Sequence, residues 1–316
     1  MSADLSQVVG YELPPKPVSW NQRDLLIYAA GVGAKADDLN ITYELNPGFA
    51  ALPTYPVVLQ FKGDSQRGRE LNDFVKTMKS KPVPTMPKLD PLRGVHGSQS
   101  IEILKELPFA SGPGWTWSTK YVGVSENKSG IVVTTENILR DPKGVAYAKL
   151  YSSGFNIGAK ALGKNFTKYI AGPPQAKPIP KDRAPDYTVS DATTPEQATI
   201  FRLSGDYNPL HIDPSIGQSA GFGGVILHGL STFGFAARAL IKSVGGSDPR
   251  SLKLFGVRFT APVKPGDKLE TQAWEVGPGP NGTVEVTFVT KNLTSGKVCL
   301  GGGVAYVKKG GKDAKL

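Results

Sequence analysis

The feature that most constrains this 316-residue chain is that it repeats itself. Ser100–Leu107 runs into Pro108-Phe-Ala-Ser-Gly112, and Leu254–Ala261 runs into Pro262-Val-Lys-Pro-Gly266. Each stretch continues into a strand-like run, a Gly-containing turn, a longer run, a second turn with Gly and Lys, and a last run. Those last runs carry Val145-Ala-Tyr147 and Val304-Ala-Tyr306, and the offset stays near 152 to 159 residues. Spacing shared in this way points to duplication. Between the copies lies a segment with five prolines from Pro173 to Pro185. Proline fits neither helix interiors nor central strands, so the segment reads as an extended linker. The expected division is residues 1–171, a linker over 172–187, and residues 188–316.

Each copy predicts the same elements. Alternating runs at Thr116–Ser125, Gly130–Arg140 and Ala146–Ser153 read as antiparallel strands, with Ser100–Leu107 before them. Their counterparts are Leu252–Thr260, Lys268–Val276, Thr283–Asn292 and Lys297–Val307. Leu227, Leu230, Phe233, Ala237, Leu240 and Ile241 recur at spacings of three and four, which predicts a helix over Ile226–Val244 stopped by Gly245-Gly246. In the first copy, Ser19-Trp-Asn-Gln22 reads as a capping box before the apolar run Leu25–Ala30, with Gly31 ending the helix. A polar helix is expected over Gln66–Met78, a Pro-rich surface segment over Lys81–Pro91, and another helix start at Thr194-Pro-Glu-Gln197. Helices followed by antiparallel sheet, twice, make the fold class α+β.

Composition excludes several function classes. The net charge of +10 comes from 37 basic and 27 acidic residues. The basic residues are dispersed, with no run of five, which suits a small phosphate-bearing ligand better than nucleic acid. Cys299 is the single cysteine, so a disulfide framework is excluded and a reducing compartment fits. The N-terminus lacks the pattern of a secretory signal, and no stretch of about 18 apolar residues predicts a membrane span. Ala314-Lys315-Leu316 is a conservative relative of the S-K-L address read by the peroxisomal import receptor. Gly277-Pro-Gly-Pro-Asn-Gly282 matches G-x-G-x-x-G by letter, but it leads into a strand, whereas a dinucleotide fingerprint must open a helix. It is expected to be a hairpin turn. His96, His211 and His228 show no ligand spacing and Cys299 stands alone, so no metal is expected.

The chemistry concentrates in Phe201-Arg-Leu-Ser-Gly-Asp-Tyr-Asn-Pro-Leu-His211. Gly205 and Pro209 make an irregular loop, and Asp206, Asn208 and His211 fall within six residues of one another. A carboxylate and an imidazole holding one water form an acid–base pair. Farther on, His228-Gly229 opens the apolar helix. The first amides of a helix lack intrahelical acceptors, and glycine lets a ligand carbonyl approach closely, so developing negative charge is favoured there.

That run resembles the hydratase 2 motif of MaoC-like dehydratases. Leu92–Gln99, Tyr207–Ala236 and Arg258–Gly266 resemble the hydratase portion of peroxisomal multifunctional enzyme type 2, and the resemblance spans both halves. It implies a double hot-dog fold, a long helix wrapped by an antiparallel sheet, twice. It implies (R)-specific hydration of trans-2-enoyl-CoA to (3R)-3-hydroxyacyl-CoA in peroxisomal fatty acid β-oxidation, no cofactor beyond the CoA of the substrate, and a homodimer. By resemblance Asp206 and His211 are the catalytic pair, Asn208 helps hold the water, and the Gly229 amide binds the thioester oxygen. Substrate contacts would fall on His96, Gly97, Lys128, Tyr207, Pro209, Leu210 and Phe259. The first half has no second acid–base motif and would accommodate the acyl chain. One departure is Gly217, where the family has Ala or Ser; a small-for-small exchange is expected to leave the chemistry unaffected. The alternatives are a dehydratase acting on the acyl thioesters of a specialised pathway, or a non-catalytic acyl-CoA-binding protein of the same fold.

Overall fold

The computed structural model describes residues 4–64, 83, 85–87, 89–90 and 93–310. The helix expected over Gln66–Met78, most of the Lys81–Pro91 segment and Ala314-Lys315-Leu316 lie outside the described residues. Eleven strands form one sheet: β1 (Glu12–Pro17), β2 (Gly94–Ile103), β3 (Thr116–Asn127), β4 (Gly130–Arg140), β5 (Ala146–Ile157), β6 (Phe166–Tyr169), β7 (Tyr187–Ala192), β8 (Leu252–Phe259), β9 (Lys268–Pro278), β10 (Val284–Asn292) and β11 (Lys297–Val307). Their order is β1-β3-β4-β5-β2-β8-β11-β10-β9-β7, with β6 beside β3. The order reads as a palindrome about the β2–β8 seam, so the duplication in sequence becomes a pseudo-two-fold in the sheet. The seam is antiparallel, pairing Ser98 with Arg258 and Ile101 with Phe255.

Two edge strands differ from the sequence expectation. β1 contains three prolines and β7 begins at the last residue of the expected linker; they flank β3 and β9 in equivalent positions. Proline lacks a donor for the ladder and is tolerated at an edge. Strand β2 starts at Gly94, six residues before the expected Ser100, and ends at Ile103. The Gly277–Gly282 segment is a hairpin connection from β9 to β10, with a single tight turn at Pro280–Gly282. The Pro-rich stretch lies along the second half: the Thr287 hydroxyl donates to the Lys177 carbonyl, and Arg183 donates to the Glu275 carbonyl.

The central helix is Gly229–Ser243, and Leu230 through Ile241 are all buried. A helix apolar on every side is one that sits inside a core. Its charged Arg238 is paired with Asp38 and Asp191 and donates to the Val32 carbonyl. The first-half helix, Gln22–Gly31, is shorter, and its true cap is Asn21 with Asp24, two residues beyond the expected Ser19. The last carbonyls of a helix lack intrahelical donors. Here Gly31 O accepts from Gln197 Nε2 and from Ser231 Oγ, both at 2.8 Å and both from the second half.

One hydrophobic core runs through both halves, from Trp117 and Leu139 to Phe233 and Phe288. Phe255 is its hinge: the ring meets Phe233 edge-on at 4.7 Å and stacks on Phe288 at 4.9 Å. Phe255→Ala removes both contacts and opens a cavity, and is expected to cost about 3–5 kcal/mol, read as a lower urea midpoint with an unchanged slope.

Candidate active site

The loop from Gly205 to His211 is held by a glycine that nothing else could replace. Gly205 has φ +122°, and a Cβ there would sit 2.8 Å from the backbone of Lys62. The acid-bearing turn is thus pressed against the first half of the chain. Asp206 follows, 9% exposed, with its carboxylate accepting from the Asn208 N–H at 3.3 Å. Asn208 caps the tight turn Pro209–His211, its amide oxygen accepting from the Leu210 N–H at 3.0 Å. The amide NH2 of Asn208 is the end that could donate to a water. Tyr207 lies under the Arg202 guanidinium, 4.8 Å from ring centroid to Cζ, and Pro209 and Leu210 form the half-buried turn itself.

His211 is 8% exposed and its Nδ1 pairs with the Ile226 carbonyl at 2.9 Å. A carbonyl can only accept, so Nδ1 carries the proton and Nε2 presents its lone pair. The Ile226 carbonyl is free to do this because the helix starts at Gly229, three residues later than the periodicity suggests. Leu227 bonds to Val263 instead, at 2.7 Å. His228 caps the helix, 1% exposed. Its Nε2 donates to the Asp206 carbonyl at 3.1 Å, and its ring stacks on His211 with centroids 3.7 Å apart and planes 29° apart.

A carboxylate oxygen of Asp206 and one ring nitrogen each of His211 and His228 lie within 4.8 Å of one another. Residues 22 apart in sequence meet here, a proximity that spacing alone does not show. Two imidazoles and a carboxylate are a donor set transition metals accept. The ring geometry does not fit one. Each imidazole lone pair lies in its ring plane, and near-parallel stacked planes do not converge on an ion at about 2.0–2.1 Å. One nitrogen of each ring is moreover taken by a backbone carbonyl.

Burial raises the Asp206 carboxyl above its usual range, opposed by the neighbouring His211 and by the Asn208 N–H. Burial lowers His211, opposed by Asp206 and by the Ile226 carbonyl. Burial moves the two groups toward each other while their mutual charge attraction holds them apart, so they titrate as a pair. Gly229 opens the helix directly after His228, whose ring stacks on His211. A Cβ at Gly229 would come within 3.1 Å of the Phe259 ring, which covers this helix end and itself packs on His96 at 4.7 Å. His96 Nε2 pairs with the Ser152 hydroxyl at 3.0 Å, and burial pushes the imidazole down to about 4. At Gly97 a Cβ would meet the Ser153 hydroxyl at 3.0 Å, in the irregularity between His96 and Ser98 of the β2–β5 pairing. Lys128 stands apart. It sits in the β3–β4 turn, two strands from β2 at the same sheet end, roughly 10 Å away by strand spacing.

Residues 177–297 match the MaoC-like domain, and residues 18–158 match the N-terminal domain of MFE-2 hydratase 2. A Dictyostelium discoideum protein named probable enoyl-CoA hydratase 2 is 32% identical over 320 residues, covering 98% of each chain. The chain belongs to the MaoC-like, hydratase 2 family. It is an enzyme of the hydro-lyase class with a double hot-dog fold. The crystal structure of a MaoC-like dehydratase from Phytophthora capsici superposes with a TM-score of 0.85 at 37% identity, covering 97% of this chain and 98% of that one. The Drosophila melanogaster peroxisomal multifunctional enzyme type 2 is 36% identical over 300 residues, 94% of this chain and 47% of that enzyme. This hydratase chain thus spans about half the length of the fly protein.

Gly217 is not the small departure it reads as in the sequence. A Cβ there would lie 1.9 Å from the Gly224 carbonyl oxygen, on a backbone that leads straight to Ile226 and His228. Gly217→Ala is expected to cost about 1–3 kcal/mol through overpacking and to lower activity by displacing the Ile226 carbonyl from His211. Wild-type melting temperature and activity in the alanine variant would contradict this.

The three histidines also set an acid limit on stability. Free imidazoles titrate near 6.5, whereas folded His96 titrates at about 4 and His211 and His228 are lowered as well. Below about pH 6.5 the unfolded chain binds more protons than the folded one, so stability falls as pH falls. Asp206, raised from 3.8, acts in the opposite direction just above that value. Urea midpoints are expected to drop between pH 7 and 5, and His96→Gln to flatten the drop. An unchanged slope in that variant would remove His96 from the account.

Proposed function

We propose that the protein adds water to trans-2-enoyl-CoA thioesters to give (3R)-3-hydroxyacyl-CoA, within peroxisomal fatty acid β-oxidation. The observation that carries the reading is a buried carboxylate and a buried imidazole whose oxygen and nitrogen lie within 4.8 Å of each other, with a buried helix opening directly after the histidine stacked on that imidazole. Water held by Asp206 and His211 gives its oxygen to C3. The proton it gives up goes to the pair, and the pair delivers one to C2. Between these events the thioester oxygen holds enolate charge, which the Gly229 N–H meets with the dipole of the 15-residue helix behind it. Asn208 turns its amide NH2 toward the water, and His96, Gly97, Tyr207, Pro209, Leu210 and Phe259 shape the space around the acyl thioester.

Exposed Leu203, Ile212 and Ile216 on and beside the same loop suit an apolar acyl chain. The first half, residues 1–171, takes that chain, and Lys128 with the net charge of +10 favours the CoA phosphates. The reaction needs no cofactor beyond the CoA of the substrate. Ala314-Lys315-Leu316 directs the protein to the peroxisomal matrix through the import receptor, and the working form is a homodimer.

The test follows loss of the enoyl absorbance of trans-2-decenoyl-CoA, with chiral analysis of the product. The expected result is (3R) product from the wild type and a fall of about 10²–10⁴-fold in kcat for Asp206→Ala and for His211→Ala. An (S) product would keep the reaction class and overturn the stereochemical assignment. A folded wild type that hydrates no enoyl-CoA would move the reading to a carrier-bound thioester or to binding alone.

A further inference from the structure

His228 has no part in the acid–base pair, yet the site is built around it. The ring is 1% exposed, packs on Phe201 at 4.8 Å and stacks on His211 at 3.7 Å. Its hydrogen bonding is reciprocal with that of His211. His211, on the loop, donates to the carbonyl of Ile226 just before the helix; His228, at the helix cap, donates to the carbonyl of Asp206 on the loop. Each catalytic segment therefore holds the other's histidine. Cutting one link leaves the loop fastened at the His211 end only.

The protonation state follows from the same bonds. The Asp206 carbonyl requires N–H at Nε2, which leaves Nδ1 as a bare lone pair. Nδ1 is buried and, among the described residues, has no hydrogen-bond partner. An imidazolium would add a second buried N–H with no acceptor for it. Burial, the neighbouring His211 and Arg202 all hold His228 below its ordinary range, while the Asp206 carbonyl alone opposes them. The residue is a fixed, neutral donor.

We propose that His228 is a positioning residue: its Nε2–H fixes the Asp206 backbone so that the carboxylate stays against His211, which its ring face supports. The proposal rests on the hydratase reading for its kinetic test. Misplacing a reacting group by about 1 Å can cost about 100-fold.

Two variants separate the bond from the ring. His228→Phe keeps a ring under His211 and removes the donor; His228→Gln keeps a side-chain N–H and removes the ring. The expected result is a fall of about 10–100-fold in kcat for the Phe variant with KM within about twofold, and partial recovery in the Gln variant. The pH profile carries the distinguishing sign. The titratable and charged groups facing His211 are Asp206, which raises its pKa, and His228, with Arg202 beyond it. A carboxylate that swings away lets the His211 pKa fall, so the acid limb of kcat moves to lower pH in the Phe variant. A merely structural loss would leave that limb in place.

Imidazole nitrogen NMR on the wild type reads the clasp without any substrate. His228 is expected as the neutral, Nε2-protonated tautomer at pH 6. A charged His228, an Nδ1-protonated tautomer, or a Phe variant with wild-type kcat and pH profile would each overturn the proposal. An inactive wild type that showed the expected tautomer would sink the hydratase reading and leave the clasp standing.

Discussion

The catalytic end of the molecule depends on one pairing, the antiparallel seam between β2 and β8. By joining two half-sheets it brings His96 of the first half against Phe259 of the second. The Phe259 ring then lies 3.1 Å from where a Cβ on Gly229 would sit, so a side chain there would crowd the ring. The same dependence appears on the other side of the site, where Gly205 packs against the Lys62 backbone. The half that lacks the acid–base motif therefore supplies walls to both ends of the site, which explains why a duplicated chain keeps a copy without catalytic residues. Neither half could hold this geometry alone.

How much of the fold could be read depended on whether an element buries one face. Gly130–Arg140 and Lys297–Val307 match their predicted bounds because each is a run carrying buried residues along its length and delimited by glycine-containing turns. β1 escaped because three of its six residues are prolines, which signal coil anywhere except at an edge. β7 escaped because it follows the Pro-rich stretch directly and alternates half-buried with exposed residues, burying none. The early start of β2 was hidden by the polar run His96-Gly-Ser-Gln-Ser100, in which the His96 imidazole pairs across to Ser152 and the Ser98 hydroxyl to Ser153. The overlong helix has a different cause. Ile226 and Leu227 continue the apolar period, but the Ile226 carbonyl is taken by His211, and a helix starting there would need it for its first hydrogen bond.

The site was legible in the same graded way. Asp206, Asn208 and His211 share one turn, so their convergence could be argued from six residues. Gly229 could be argued from the physics of helix ends. His96, Gly97 and Phe259 rested on resemblance alone, because only the seam brings them together. His228 carried a signal in the sequence, as one of three histidines and the neighbour of Gly229, but its partner lies 22 residues away. Spacing rules that find metal ligands or triads within a motif have no purchase on a hydrogen bond to a backbone carbonyl across a loop.

The environment of the pair explains why this arrangement suits addition of water rather than simple proton capture. In water an imidazole near 6.5 holds a proton far more firmly than a carboxylate near 3.8. Burial penalises the state in which both are charged, and so lifts one and lowers the other. The backbone partners act against this: the Asn208 N–H favours the carboxylate, and the Ile226 carbonyl favours the imidazolium. Burial and the backbone partners thus oppose one another at both groups. Hydration and its reverse each demand that one proton be taken and another returned within a single encounter. A pair with widely separated affinities would do one of these well and the other poorly. Assigning the C2 proton to Asp206 or to His211 is then a question about the pair, whose protons come and go jointly.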